Sequence, residues 1–277
     1  MITSKKLKIS VVIPVYNEVE SLNACIEALA LQDDPLYEVI VVDNNSFDES
    51  KKVAKSFDFV TVVSERKQGV SYARDKGFNR SSGDIIARID ADTIVPTDWT
   101  MQLHRIFQDK NIDAVSGSMH YYDFSFNDLA DKIDLILRSS VNRSMSGQTF
   151  LQGCNMAVRK SAWKKVNDQL CHSMGLHEDV DLALHLQQEG LMVSFDSQLS
   201  VRVSCRRYDS DMQSFMNYVL ALPRTYSLHG SYNYYPIYCL VALATFGYLP
   251  ARSFNRLFAP MNKRVQANRI DPTSNVA

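Results

Sequence analysis

Between Ile9 and Asp90, short β-branched runs alternate with stretches whose apolar residues recur every three or four positions. Ile9-Ser10-Val11-Val12-Ile13-Pro14, Tyr37 to Val42, Val60 to Val63 and Ile85 to Ile89 are nearly continuous in apolar character, the pattern of strands buried on both faces of a parallel sheet. Between them Ser21 to Leu31, with Leu22, Ile26, Leu29 and Ala30 at helical spacing, a segment through Lys55, and Ser71 to Phe78 predict helices. Asp33-Asp34-Pro35 stops the first of them. Repeated βα units imply right-handed crossovers and an open α/β sheet, which binds ligands at the carboxyl ends of its strands. Polar residues arrive at that edge from each strand: Tyr16, Asn17 and Glu18; Asp43; Asp90 and Asp92.

Downstream, Trp99, Leu103, Ile106 and Phe107 mark a helix, Ala114-Val115-Ser116 a strand, and Phe124 to Thr149 a helical pattern that turns polar. Phe150 to Lys160 reads as strand, with Gly153 marking either close backbone approach to a ligand or a bulge. His177-Glu178-Asp179-Val180-Asp181 opens a helix that Glu189-Gly190 ends, and Leu191 to Phe195 and Leu199 to Val203 read as two closing strands before Arg206 and Arg207. From Met212 aromatic residues crowd in, and no Asp, Glu, Lys or Arg occurs between Arg224 and Arg252. The apolar stretch from Ile237 to Leu249 rises only about 20 Å as a helix, short of the ~30 Å hydrocarbon core. It predicts an interfacial segment with tyrosine anchors, a helical lid or a dimer contact rather than a span. The chain thus divides into a sheet-forming domain, residues 1–207, and a helical, aromatic-rich extension, 208–277.

Charge changes this picture in one respect. The 277 residues carry a formal net charge of −1, which argues against a general polyanion binder and against nucleic acid as a partner. Yet nine basic residues against three acidic ones follow Ser200, a local excess of six positive charges. An extension of that kind, with Arg252, Arg256, Lys263 and Arg264, suits an anionic membrane surface. Five cysteines form no CxxC pair, as free thiols in a reducing compartment would, and the lysines before Ile9 run straight into a strand without a signal-peptide pattern. A cytoplasmic location, peripheral on the inner face of the membrane, is the expectation.

Candidate chemistry centres on Asp90-Ala91-Asp92. On an extended backbone the two carboxylates point to the same side, and neighbouring like charges call for a hard divalent cation between them; a solvated loop or a helix cap is the plainer use of the pattern. Six segments in order then carry a resemblance: Ser10 to Glu18 (SVVIPVYNE), Val41 to Asp48 (VVDNNSFD), Gly69 to Gly77 (GVSYARDKG), Asp90 to Asp92, Gly153 to Ala157 (GCNMA) and His177 to Asp181 (HEDVD). Over roughly Lys8 to Arg207 the chain resembles the inverting glycosyltransferases of family 2, with a GT-A fold, a mostly parallel Rossmann-like sheet flanked by helices. No Gly-x-Gly-x-x-Gly or P-loop pattern competes for the same edge.

The resemblance implies a division of labour. Pro14 and Tyr16 would shape the nucleoside pocket, Glu18 would reach a ribose hydroxyl, and Asp43 would accept a base N–H such as that of uracil. Arg74, with Lys67 as a helper, would meet phosphate or the base edge. Asp92 would hold Mg²⁺ or Mn²⁺, and Asp90 would support the metal and ribose region. Asp179 would be the general base that direct inversion requires, with Glu178 as its neighbour and Gly153 and the Arg206-Arg207 pair near the diphosphate or acceptor. Asp43 and Glu18 also precede helices and would serve there as caps, and His177 reads either as a metal or phosphate contact or as a structural hydrogen-bonder. The expected activity is metal-dependent transfer of a sugar from a nucleoside-diphosphate donor, UDP-linked or GDP-mannose, to a hydroxyl of a saccharide or lipid-linked acceptor. A catalytically silent nucleotide-sugar binder and a sugar nucleotidyltransferase are the rivals; the latter would want a Gly-rich, basic loop where Val15-Tyr16-Asn17-Glu18 stands.

Overall fold

A computed structural model of the chain describes residues 6–123, 151–173, 175–206, 211–230, 237–239, 241–248 and 253. Its strands are β1 (Ile9–Val15), β2 (Glu38–Asp43), β3 (Val60–Ser64), β4 (Ile85–Arg88), β5 (Ile112–Tyr121), β6 (Met156–Arg159) and β7 (Met192–Val203). The helices are α1 (Leu22–Ala30), α2 (Ser50–Lys55), α3 (Val70–Arg80), α4 (Trp99–Ile106), α5 (Lys160–Val166), α6 (Glu178–Gln188) and α7 (Met212–Leu228). One sheet holds all seven strands in the order β3-β2-β1-β4-β6-β5-β7. β1 to β4 pair in parallel, as their apolar runs predict, and only β6 runs antiparallel to its neighbours.

Alternation along buried strands explains why the sheet is covered on both sides. Val11, Ile13, Ile85, Ala87 and Ile89 join Leu22, Ile26, Trp99 and Leu103 in one core layer. Val12, Ile40, Val42 and Ile86, one residue out of phase, join Phe78, Trp163 and Leu182 in the other. Successive side chains of one strand therefore feed two cores. On the second face α3 lies close against β1 and β2, because Gly77 has no Cβ to meet Val12 and Val42.

Three expectations change. Phe150 to Lys160 is not one strand: Gln152 to Asn155 form a turn closed by Asn155 N–H donating to the Gln152 carbonyl at 2.9 Å, β6 occupies four residues, and Lys160 already begins α5. The two closing strands are one, β7, whose pairing with β5 slips between Gly117 and Ser118 so that residues 197–199 bulge. Asn155 fills the bulge, its Nδ2 donating to the carbonyls of Ser118 at 2.9 Å and Leu199 at 2.7 Å while its Oδ1 accepts from Trp99 Nε1 at 3.1 Å. Third, Asp90 to Asp92 is a turn rather than extended chain, with Thr93 N–H donating to the Asp90 carbonyl at 3.0 Å. The helical pattern from Phe124 to Thr149, and Arg207, Arg252, Arg256, Lys263 and Arg264, lie outside the described residues.

The start of the extension packs on the sheet domain. Tyr226 of α7 and Ile237 cluster with Val180 and Leu184 of α6, and Tyr248 stacks on Phe215 with ring centroids 4.2 Å apart. Tyr238, Leu243 and Phe246 remain exposed. Among the described residues no helix is long and apolar enough to cross a membrane. The close contact at Gly77 gives a test of the packing: Gly77→Ala should lower unfolding stability by about 1–3 kcal/mol, the usual cost of forcing a methyl into a filled core. Urea titration followed by circular dichroism reads it, and an unchanged midpoint would mean that α3 sits further from the sheet.

Candidate active site

Register places the site. Val15 pairs with Asp43 and Val12 with Arg88, so the loops after β1, β2 and β4 leave the sheet side by side. The first two are laced together. Asn44 N–H donates to the Val15 carbonyl at 2.8 Å, Asn17 N–H to Ser46 Oγ at 3.1 Å, Phe47 N–H to Asn17 Oδ1 at 2.9 Å and Glu18 N–H to Ser50 Oγ at 2.7 Å. Asn17 and Asn45 take φ of 55° and 64°, the left-handed region that asparagine tolerates better than most residues. Asn44 reaches on to the third loop, donating to the Glu65 and Lys67 carbonyls and accepting from Gly69 N–H.

That lacing leaves Tyr16 exposed and edge-on to Phe47, centroids 6.2 Å apart, a pair of exposed aromatic rings on the β1 and β2 loops. Behind them Asp43 is buried, with Oδ1 accepting from Ser46 N–H at 3.1 Å and Oδ2 3.5 Å from Lys51 Nζ. Phe47, Asn44 and Ser46 lie inside a segment that carries the resemblance but were not singled out in it. Exposure of a large aromatic beside a polar run was the available signal for Phe47.

The acidic turn is charge-matched in two places. Arg206 Nη2 donates to Glu18 Oε2 at 2.7 Å and to Asp92 Oδ2 at 3.0 Å, joining the β1 loop to the turn after β4. Asp92 keeps a side-chain exposure of 20 %, and burial pushes its carboxyl up from the usual range although Arg206 opposes the shift. Asp90 is bound by Arg88 Nη2 at 2.9 Å. Arg88 is buried, and its other guanidinium nitrogen, Nη1, contacts Glu178 Oε1 of α6. Gly153 passes so close to this guanidinium that a Cβ there would collide with it.

At the start of α6 the two acids differ. Burial alone would raise Glu178, but Arg88 and then Arg74 outweigh it and hold its carboxyl below the ordinary range. Asp179 is pushed up, by burial first and by the Glu178 charge next, against His177 and Arg88. Its Oδ2 accepts from Gly153 N–H at 2.8 Å and its Oδ1 from Val180 N–H at 2.8 Å. The neighbouring carboxylates therefore stand in opposed environments, Glu178 held toward its ionised form and Asp179 made the better proton acceptor of the two.

One sequence expectation is corrected here, and His177 takes one of its two alternatives. Arg74 does not face the nucleotide edge: its side chain has no exposure, and the guanidinium holds Asp75 and the Glu178 carbonyl. It braces the start of α6 instead. His177 fills the structural role, its N–H donating to Thr225 Oγ1 at 2.9 Å and its Nε2 lying 3.0 Å from the Tyr218 carbonyl, both on α7.

A family model described as glycosyl transferase family 2 matches residues 10–166, more than half of the chain. The chain belongs to that family. This family 2 glycosyltransferase is 30% identical over 165 residues to glycosyltransferase AglE of Haloferax volcanii, covering 57% of this chain and 54% of that one. It is 31% identical over 173 residues to the undecaprenyl-phosphate 4-deoxy-4-formamido-L-arabinose transferase of Yersinia pestis, covering 59% and 47%. The chain thus spans about half the length of these relatives. In fold it is similar to the mannosyltransferase PcManGT of Pyrobaculum calidifontis, solved in complex with GDP-Man and Mn²⁺, with a TM-score of 0.66 at 17% identity over 96% of this chain and 80% of that one. The mixed seven-stranded sheet flanked by helices is the GT-A fold.

A hard divalent cation fits the residues at the acidic turn. Asp92 and Asp90 offer only oxygen, partly open to solvent, and Arg206 already sits in cationic contact with Asp92. Such ions bind through one or two carboxylates together with ligand phosphates rather than in an all-protein cage. Arg88 supplies the prediction from this geometry. Arg88→Lys keeps the charge but cannot reach Asp90 and Glu178 with separate nitrogens, so stability should fall by about 1–3 kcal/mol. The exposed change Arg80→Lys should stay within about 0.5 kcal/mol. Equal midpoints in thermal unfolding would contradict the bridge.

Proposed function

We propose that this glycosyltransferase moves a sugar, with inversion, from a nucleoside-diphosphate donor, UDP-linked, to a hydroxyl of a saccharide or lipid-linked acceptor. The observation that carries the reading is an arrangement along one sheet edge: a partly exposed Asp92 tied through Arg206 to the β1 loop, and an Asp179 with a raised carboxyl beside the Arg88–Glu178 pair. In this reading the base slides between the β1 and β2 loops, over Pro14 and against Tyr16 and Phe47, and Asp43 accepts its N–H. Glu18 takes a ribose hydroxyl. Arg206 then leaves Glu18 and Asp92 for the diphosphate, which its planar fork suits.

Asp92, supported by Asp90, would hold Mg²⁺ or Mn²⁺, and such an ion supplies charge neutralisation for the departing diphosphate. Asp179 takes the proton of the acceptor hydroxyl as its oxygen bonds to the anomeric carbon. The bond from that carbon to the diphosphate oxygen breaks, and the electron pair leaves with the nucleoside diphosphate. Gly153 N–H fixes the Asp179 carboxylate, and the bare Cα of Gly153 leaves Arg88 room to hold Glu178. The exposed Tyr238, Leu243 and Phe246 would turn toward an anionic membrane surface that carries a lipid-linked acceptor.

Binding and chemistry should separate by variant. Asp179→Asn keeps size and one of the two accepted backbone hydrogen bonds but cannot take a proton, so transfer should fall by roughly 10²- to 10⁴-fold while donor affinity stays close to wild type. Asp92→Asn should lose transfer and Mn²⁺-dependent donor binding together. Thermal shifts with UDP- and GDP-sugars, with and without Mn²⁺, read the binding arm, because a ligand of the native state raises its stability with concentration. Stabilisation by GDP-mannose alone would move the donor assignment to guanosine. Unchanged transfer by Asp92→Asn in the presence of EDTA would exclude the metal-dependent reading.

A further inference from the structure

A second group of titratable side chains, unused by the reaction above, lies behind the site. Asp181 stands on α6 with no side-chain exposure. Its Oδ2 accepts from the Cys171 N–H at 3.0 Å, and its Oδ1 lies 2.8 Å from His229 Nε2 and 3.6 Å from His185 Nε2. Cys171 Sγ is 4.0 Å from the same nitrogen of His185. One candidate ligand atom from each of Cys171, Asp181, His185 and His229 lies within 4.8 Å of all the others. The four come from three pieces of chain: the loop before α6, one face of α6 at a four-residue spacing, and the residue that caps the end of α7.

Hydrogen bonding alone does not complete this group. His185 is only 9% exposed, and among the described residues its Nδ1 has no hydrogen-bond partner and its Nε2 has the two long contacts just given. A buried imidazole left in that state costs about 1–3 kcal/mol. A cation among the four side chains would bind the Nε2 lone pair and replace the two long contacts on that nitrogen with a full one, the ring proton then standing on Nδ1. Two imidazoles, a thiolate and one carboxylate select zinc over the harder magnesium or manganese. In a tetrahedral zinc site the ligand atoms stand roughly 3.3–3.6 Å apart, and the present separations, from 2.8 Å to at most 4.8 Å, lie on either side of that range. The outer shell is also at hand, since the Gln188 side-chain amide lies 3.4 Å from His229 Nδ1 and, turned over, would accept the proton that a metal-bound imidazole carries there.

We propose that Cys171, Asp181, His185 and His229 form a Zn²⁺ site, separate from the acidic turn at Asp90 and Asp92, that ties the end of α7 to α6. The ion is structural, because all four positions are taken by protein atoms. Its effect on the reaction is indirect: it fixes the helix whose first residues are Glu178 and Asp179. The proposal stands whether or not the assignment of Asp179 is right.

Metal analysis of the full chain tests it. Protein produced with zinc and dialysed into Mn²⁺-containing buffer should retain one zinc per chain, and so should Asp92→Asn. Cys171→Ser and His229→Gln should lose it. Cobalt added to the zinc-stripped wild-type chain should give tetrahedral d–d bands and a thiolate charge-transfer band, a readout that needs no variant. Folded wild-type protein that takes up neither zinc nor cobalt would overturn the site. So would zinc that persists in both ligand variants, or zinc that disappears in Asp92→Asn, which would place the ion at the sheet edge.

Discussion

Arg88 ends a four-residue strand with its guanidinium buried, and a buried cation persists only where carboxylates and hydrogen bonds replace the water it has lost. Asp90 and Glu178 supply them from opposite directions, one from the turn that follows β4 and the other from the first turn of α6. The pair thereby fixes two pieces of chain that share no backbone hydrogen bonding. Whatever the acidic turn and the α6 start do together, they do at a distance set by this guanidinium. Gly153 belongs to the same constraint, since any side chain there would displace Arg88, and its N–H holds Asp179.

From this follows the electrostatic asymmetry of the site. The positive charge falls unevenly on two adjacent acids: Glu178 receives the direct contact and is held ionised, and its retained charge then works against ionisation of Asp179. Arg74 adds to the same side, bracing the Glu178 backbone from α3. Across the edge, Arg206 balances Glu18 and Asp92 from a more exposed position, where an ion pair is weak enough to exchange for a ligand. The buried arginine sets geometry, and the more exposed one ties the β1 loop to the acidic turn.

Much of this was legible in the chain. β1, β2 and β4 announce themselves by nearly continuous apolar runs, because a strand covered on both faces is mostly apolar, whereas β3, at the sheet edge, is only partly buried. The polar residues that end them are legible for the same reason, as breaks in those runs. Local conformation was harder. Asp90 and Asp92 look like alternate positions of a strand, yet the chain turns there, and the left-handed asparagines that lace the β1 and β2 loops look like ordinary polar residues. β6 is four residues long and reversed, and nothing in four apolar residues states direction. The bulge in β7 read as a gap between strands. Arg88 reads as one polar residue in an apolar strand, because its partner Glu178 lies 90 residues away. Arg74 was misplaced for the same reason: a basic residue on a helix near the edge gives no sign of whether it faces inward.

The central claim is that the Glu178 charge, held in place by Arg88, keeps the Asp179 carboxyl above its ordinary range, and the pH dependence of kcat/KM tests it most directly because that ratio reports groups in the free enzyme. With Asp179 as the proposed base, transfer requires that group unprotonated, so the rate falls on the acid side as it takes a proton. Removing the neighbouring negative charge lowers its proton affinity. The profile of Glu178→Gln should therefore have its acid limb displaced to lower pH relative to wild type, with the loss of rate at neutral pH smaller than in Asp179→Asn. An acid limb that stays in place or moves to higher pH in Glu178→Gln would contradict the account.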